Sequence, residues 1–434
     1  MSEDPRELIA REPMHPRQVL AIAIATALNA LDGFDVLSIS FASPGIASDW
    51  HVDRAALGVV LSMELIGMAI GAFALGALAD RLGRRPMILA CLVIMATGMG
   101  LAALSTNVFA LSAVRLFTGL GIGGMLAATN AIVAECANAR RRNLAVAIMA
   151  GGYPMGAVVG GSIASVILGA TGQWQSIFAL GAIVTAAFIP LVLWLVPETI
   201  AFLCLKQPAG ALARVNHTLA RQGRAALSAL PPLDPVAAKT RLADAFAPGM
   251  ARITLLLMLS YFAHIMTFYF LMKWIPKIVA DLGIAPAMAG QVLVWANLGG
   301  ATGALVVSLL SQRFPVRGLV MAAMVGGAVA VVGFGQELHT LAALSLVAGI
   351  AGFFLNGATA GLYAVFAQAF PTRLRAGGTG LVIGIGRGGA ALGPVIAGLL
   401  FAGGMDLATV ALIMACGSLV GAVALLLVRP MTSA

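Results

Sequence analysis

The chain has 434 residues, of which 60% are hydrophobic and only 10% charged, against about 25% charged in an ordinary soluble domain. Twelve membrane crossings at about 20 residues each would use roughly 240 residues, and the apolar supply meets that demand. A soluble enzyme, a secreted disulfide scaffold and a disordered regulator are excluded before any motif is read.

Breaking the chain at Pro, Gly and charge clusters predicts twelve spans, at 17–42, 57–79, 87–105, 109–135, 143–170, 175–196, 251–275, 289–311, 318–335, 339–368, 378–402 and 407–428. No cleavable signal peptide is expected ahead of the first. Of the 26 Lys and Arg residues, Arg115 and Arg387 fall inside spans, Arg54, Lys273 and Lys277 lie on one side, and all the others lie on the opposite side. This bias puts both termini and the central loop in the cytoplasm. It also accounts for the net charge of +9 without a nucleic-acid partner. The four cysteines, Cys91, Cys136, Cys204 and Cys416, form no CxxC or Cys/His pattern and read as small apolar residues, with neither a disulfide nor a metal site implied.

The only long polar stretch, 197–250, separates two sets of six spans, so the expected organisation is a bundle over 1–196, a cytoplasmic loop over 197–250 and a second bundle over 251–434. A shift of 232 residues lays Pro44, Ile46 and Asp49 on Pro276, Ile278 and Asp281, Gly71, Arg81 and Arg85 on Gly303, Arg313 and Arg317, and Gly152, Gly156 and Gly161 on Gly384, Gly388 and Gly393. Two parallel six-helix halves are the layout of transporters that rock about a midplane site. The intramembrane charges break this repeat: Asp32 faces His264, Asp35 faces Thr267, Glu64 faces Ala296, Arg115 faces Val347, Glu135 faces Ala367, and Arg387 faces Met155. Facing lipid, each would cost at least a few kcal/mol, so they are expected to face the interior or a water-filled cavity.

The run GALADRLGRRP (76–86), Arg115 in RLFTGLGIGG and the glycine-rich GGYPMGAVVGG resemble signatures of the major facilitator superfamily. LDGFD (31–35), PTRLRAGGTG (371–380) and GIGRGGAALGP (384–394) resemble the aromatic acid:proton symporter family within it. The resemblance implies an all-α fold of twelve transmembrane helices in two pseudo-symmetric bundles, and a proton-coupling and substrate site at Asp32 and Asp35. One departure stands out: LLSQRFPVRG carries Gln312 and Pro315 where the repeated acidic-basic loop would have Asp and Gly.

Asp32 and Asp35 are three residues apart, so they share a helical face with Cβ atoms roughly 5–6 Å apart. Two carboxylates that close in a low dielectric resist ionising together, which suits a reversible proton carrier. The competing reading has both bonded to local hydroxyl or backbone groups where Gly33 loosens the helix. Arg115 and Arg387 are planar, permanently charged forks that hold carboxylates in two-point contact, so opposite two acids they form a candidate anion site. Internal salt bridges, Arg115 to Asp32 or Asp35 and Arg387 to Glu64, are the alternative. Glu64 is a second candidate proton carrier. His264 is a candidate relay and substrate contact or a hydrogen-bonded interior histidine.

Asp80, Arg81, Arg84, Arg85 and Glu135 are expected to form a cytoplasmic latch, with Asp80 meeting a neighbouring helix N-terminus and Arg84 or Arg85 meeting Glu135. Candidate walls are Phe34, Phe41, Tyr153, Tyr261, Tyr269, Phe354 and Tyr363. GLGIGG and GIGRGG satisfy a dinucleotide pattern but follow no strand. The expected function is proton-coupled uptake of hydroxybenzoate-like or protocatechuate-like aromatic carboxylates across the inner membrane. The alternative is proton-coupled efflux of drugs or other organic anions, which a flux assay in both directions separates. No HExxH, GxSxG or His/Cys cluster suggests an enzyme. The expected partners are the substrate, protons and the lipid bilayer, with no cofactor, no nucleic acid and a monomeric working unit.

Overall fold

A computed structural model describes residues 4–232, 245–248, 250–336, 338–371 and 374–428. Lys239, Arg241, Arg373 and Arg429, which contribute to the charge bias, lie outside them. Among the described residues every regular element is a helix. Twelve are long and apolar enough to cross a membrane. The first six are α2 (Pro16–Trp50), α3 (Arg54–Leu82), α4 (Arg84–Ala103), α5 (Val108–Cys136), α6 (Arg142–Thr171) and α7 (Gln175–Leu195). The second six are α10 (Ala251–Asp281), α11 (Pro286–Leu310), α12 (Val316–Phe334), α13 (Leu341–Ala369), α14 (Arg375–Ala402) and α15 (Leu407–Leu427). Three shorter helices, α1 (Pro5–Arg11), α8 (Ile200–Lys206) and α9 (Ala211–Ala220), lie outside the spans.

The first and seventh spans run well past their expected ends because Pro44 and Pro276 sit inside helices rather than closing them. Proline removes one backbone donor, and a long packed helix absorbs that loss as a bend. Nor does Gly33 loosen the first span: α2 is continuous from Pro16 to Trp50.

Packing repeats between the bundles. α2 meets α6, α3 meets α5, and α4 meets α5 and α7; correspondingly α10 meets α14, α11 meets α13, and α12 meets α13 and α15. Arg85 donates to Leu193 O at 2.5 Å and caps the end of α7, while Arg317 donates to Leu425 O at 3.1 Å and Leu426 O at 2.6 Å at the end of α15. The glycine register corrects the sequence alignment by one residue in α6 and α14. A Cβ on Gly156 would meet Ala30 O at 1.7 Å, and it is Gly389, not Gly388, whose Cβ would meet the equivalent Phe262 O, at 2.2 Å.

The bundles touch through α3 with α14, α6 with α11 and α2 with α10. On the face that carries Arg54 they are closed. There Arg54 pairs with Asp281 across the bundles at 3.0 Å, and a Cβ on Gly58 of α3 would lie 2.6 Å from Pro394 O of α14. On the Arg-rich face a cavity of about 1170 Å³ parts them, with Asp80 and Asn130 on one wall and Thr379 and Ile383 on the other. The molecule is thus open toward the Arg-rich face and sealed at the other.

The stretch after α7 is not wholly loop. α8 and α9 bury Phe202, Leu203, Val215 and Leu219 against Ile9 of α1. Ala139 N donates to Ala10 O at 2.9 Å, and Arg224 pairs with Glu12 at 3.0 Å, which ties this small core to the first bundle. At its edge, hydrogen bonding to the Arg6 side chain holds the Asp4 carboxyl below its usual range. Burial pushes the Cys204 thiol up to about 11, so it stays protonated at neutral pH.

Candidate functional site

Asp32 and Asp35 project from the middle of α2 and are buried. None of their four carboxyl oxygens has a hydrogen-bond partner. Local hydroxyl or backbone bonding, the competing reading of this pair, is therefore not what the side chains do. Asp32 lies within electrostatic reach of Asp35 and Glu64, and Asp35 within reach of Arg115 and Glu64. Buried acids without donors are costly as anions. They fit groups that hold and release protons.

Arg115 is also wholly buried, and its partner is Glu64 rather than either aspartate side chain. Its Nη2 donates to Glu64 Oε1 and to the main-chain Asp35 O, the latter at 2.9 Å, and its guanidinium lies 5.3 Å from the Phe178 ring centroid. The other oxygen of Glu64 faces Lys273 of the second bundle at 3.5 Å, and Lys273 Nζ also donates to Val36 O. Glu64 is therefore not available to Arg387. Lys273, expected on the side opposite the cytoplasm at the end of its span, is instead completely buried because α10 continues past it. The usable signal was the repeat: Lys273 stands where the first half has Phe41.

Arg387, half-buried on α14, has no carboxylate partner among the described residues. It lies in the electrostatic field of Tyr261 and Tyr269. Tyr261 and Tyr363 share a hydroxyl contact at 3.1 Å, and Tyr269 interacts through its hydroxyl with Tyr153 of the first bundle. Tyr261 and Tyr269 thus lie beside Arg387, while Tyr363 adjoins Tyr261 and Tyr153 of the first bundle adjoins Tyr269. Tyr153 is in turn within reach of Glu64 and Asp32, which links this cluster to the acids.

Three other expected wall residues serve packing. Phe34 and Phe41 lie against Gly160 and Gly161, and Phe354 against Gly326. His264 is buried on α10, one turn from Tyr261. One ring nitrogen meets Ser418 Oγ at 2.9 Å and the other Leu355 O at 3.0 Å, so neither is left for a substrate or a proton relay. The GLGIGG and GIGRGG runs lie inside the spanning helices α5 and α14.

The latch residues meet in part as expected, since Arg84 pairs with Glu135, but Asp80 does not sit at a helix N-terminus. Arg84 binds Asp80 at 2.9 Å and Glu135 at 2.9 Å, and stacks 5.5 Å from the Phe202 ring centroid of α8. Glu135 also accepts from Thr199 Oγ1. The carboxylate at the N-terminus of α4 is Glu198, not Asp80: it accepts from Arg84 N at 3.0 Å and Arg85 N at 3.3 Å. Such a carboxylate complements the helix dipole and its free N–H groups. Glu198 went unread because it follows the sixth span in what looks like plain loop. Arg85 caps α7 instead of meeting Glu135, and Arg81 is exposed. The whole network lies within the first bundle and α8. Asp80, with 71% of its side chain exposed, faces Thr379 and Gly380 across the cavity without touching them.

The sequence profile of the Major Facilitator Superfamily matches residues 22–226 and 257–434. The chain belongs to the major facilitator superfamily. It is 32% identical to a gallate transporter of Pseudomonas putida, over 93% of this chain and 90% of the relative. It is 30% identical to the 4-hydroxybenzoate transporter PcaK of Pseudomonas aeruginosa, over 92% of this chain and 89% of the relative. These relatives agree with the resemblance to aromatic acid:proton symporters read in the sequence. Among solved structures, the xylose transporter XylE from E. coli in an inward-open conformation superposes with a TM-score of 0.70 at 20% identity, over 96% of this chain and 97% of that one. The shared fold is that of a multi-pass membrane transporter, and the chain is not an enzyme.

Proposed function

We propose that this superfamily member takes up aromatic carboxylates across the bacterial inner membrane in symport with protons, by alternating access. The Arg-rich face, where the cavity opens, is then the cytoplasmic one, as the positive-inside bias requires. The observation that carries the reading is Arg387: a cation without a carboxylate partner among the described residues, beside Tyr261 and Tyr269 on the helix that lines the cavity through Thr379 and Ile383. A guanidinium fork takes a carboxylate, aromatic walls take a ring, and phenolic hydroxyls take ring substituents. Relatives named for gallate and 4-hydroxybenzoate support that class. The two donorless aspartates support proton coupling.

Inward movement of a monoanion against an inside-negative potential costs about 2.3 kcal/mol per 100 mV, so one co-transported proton removes the electrical penalty. Proteoliposomes with an imposed inward proton gradient should accumulate labelled 4-hydroxybenzoate or gallate, and a protonophore should abolish the accumulation. Accumulation unchanged by the protonophore would refute the coupling. Flux favoured in the outward direction would favour efflux.

A further inference from the structure

We infer that Lys273, acting through Glu64, ties the protonation of Asp32 and Asp35 to the face on which the transporter is open. The inference rests on the proton-symport reading above and adds a coupling residue to it.

Both cations of the buried charge cluster grip the segment that carries the acids. Arg115 holds Asp35 O from within the first bundle, and Lys273 holds Val36 O, one residue on, from the second. Each also takes one oxygen of Glu64. Their mechanical situations differ. Arg115, Glu64 and α2 belong to one bundle and travel together, whereas Lys273 belongs to α10, which packs on α2 and must part from it when the sealed face opens. Opening that face removes Lys273 from Glu64 and leaves the Arg115 pair in place.

Charge balance turns this motion into a proton count. With Lys273 inserted, Arg115 and Lys273 face Asp32, Asp35 and Glu64, so the cluster is neutral when one acid carries a proton. With Lys273 withdrawn, Arg115 alone faces the same three acids, and neutrality requires two protons. In a low-dielectric interior a net charge is costly, so the cluster follows the neutral state. One proton is therefore taken up while the sealed face is open and given up once Lys273 returns and the Arg-rich face is open. Glu64 is the relay because both aspartates lie within its electrostatic reach. Among the described residues the other elements packed on α10 supply no competing charge: α11, α13 and α15 carry no acidic or basic side chain, Arg317 of α12 donates to Leu425 O and Leu426 O, and Arg387 of α14 lies beside Tyr269. On α10 itself His264 is bonded to Ser418 and Leu355, and Lys277 pairs with Asp281.

The test uses the full-length protein in proteoliposomes, comparing wild type, Lys273→Arg, Lys273→Met and the double variant Lys273→Met/Glu64→Gln. Two readouts are taken with labelled 4-hydroxybenzoate: steady-state accumulation under a proton gradient, and substrate exchange without one. The amide in the double variant still accepts from Arg115 and leaves no unpaired acid, so it guards against simple misfolding. Lys273→Arg should keep accumulation. Lys273→Met and the double variant should lose accumulation, and the double variant should keep exchange. If the double variant regains accumulation, Lys273 only neutralises Glu64 and the inference fails. It fails equally if Lys273→Met accumulates like wild type, or if the double variant loses exchange together with uptake. Wild-type accumulation indifferent to the proton gradient would overturn the symport reading itself, an outcome distinct from a coupled wild type with a coupled Lys273→Met.

Discussion

Arg115 and Glu64 form a fully buried ion pair inside the first bundle, whereas Arg387 of the second has no acid partner among the described residues. The two arginines, equivalent candidates in the sequence, should therefore fail differently. Arg115→Met leaves Glu64 with only its 3.5 Å contact to Lys273, and breaking a buried pair costs about 3–5 kcal/mol, so its melting temperature should drop sharply. Arg387→Met breaks no pair and should melt like wild type. Its substrate affinity should fall by roughly one and a half to three decades, about 2–4 kcal/mol. Arg387→Lys should restore little, since a point charge lacks the planar fork. Calorimetric titration and a thermal melt on the same purified samples check both statements. Normal binding by Arg387→Met would remove it from the anion site.

Asp32→Asn and Asp35→Asn imitate a carboxyl fixed in its neutral form. Neither aspartate side chain accepts a hydrogen bond in this conformation, so neither variant should disturb the fold. Net uptake should stop because the proton site cannot reset. Exchange of internal for external substrate should continue. A variant that loses exchange as well would place its aspartate in substrate contact rather than in coupling.

The latch network gives a contrast within a few residues. Arg84→Ala cuts contacts to Asp80 and Glu135 and the stack on Phe202, so it should destabilise the first bundle by about 2–3 kcal/mol. Glu198→Gln should weaken the capping of α4 by about 1 kcal/mol. Asp80→Asn should leave stability and equilibrium binding unchanged, because its side chain is largely exposed, and should slow transport by altering closure of the cavity toward Thr379 and Gly380. Parallel loss of binding and transport in Asp80→Asn would mean that it supports the fold.

Spans, halves and buried charges were legible because membrane burial imposes simple costs on long apolar runs and isolated ions. Pairing was not. Glu64 could reach several cations at helical spacing, and only the crossing of α3, α5 and α10 selects Arg115 and Lys273. Lys273 was misplaced by the rule that proline ends a span, a rule that Pro276 breaks. With the expected shift in α3 and α11, the repeat slipped by one residue in α13, where Gly299 meets Gly349 O as Gly67 meets Leu116 O, and in α14, where several glycines fit almost equally well. Glu198 and the small core of α1, α8 and α9 carry no periodic signature strong enough to separate them from loop. The aromatic candidates divided by chemistry: Phe34, Phe41 and Phe354 pack on glycines, while the tyrosines, which need partners for their hydroxyls, met at the bundle junction.

The paired tyrosine hydroxyls should govern selectivity among ring substituents more than affinity for the carboxylate. Tyr363→Phe removes a hydroxyl 3.1 Å from that of Tyr261 and keeps the ring. One hydrogen bond is worth about 1 kcal/mol, so preference for 4-hydroxybenzoate over benzoate should fall roughly fivefold, with benzoate affinity little changed. Competition binding with the two ligands measures the ratio. An unchanged ratio in both Tyr363→Phe and Tyr153→Phe would place ring recognition elsewhere.

Closure of the sealed face depends on Gly58 lying against α14. A Cβ there would sit 2.6 Å from Pro394 O and 3.2 Å from Gly398 Cα, and both obstacles are backbone. Side chains can turn aside, whereas two packed helices must separate along their length, and the separation would also stretch the 3.0 Å Arg54–Asp281 pair. Gly58→Leu should therefore hold the transporter open on this face without touching Arg387 or the tyrosines. Substrate should still bind, and neither uptake nor exchange should occur, because both need the face to close. A cysteine placed at Asp281 in an otherwise cysteine-free background should react with a membrane-impermeant maleimide faster in Gly58→Leu than in the parent. Breaking Arg54–Asp281 alone, with Arg54→Gln, should cost only about 1 kcal/mol because the pair is partly exposed, and it should speed opening rather than prevent closure. Equal maleimide reactivity in Gly58→Leu and its parent, with transport intact, would show that the helices seal without the close approach at Gly58.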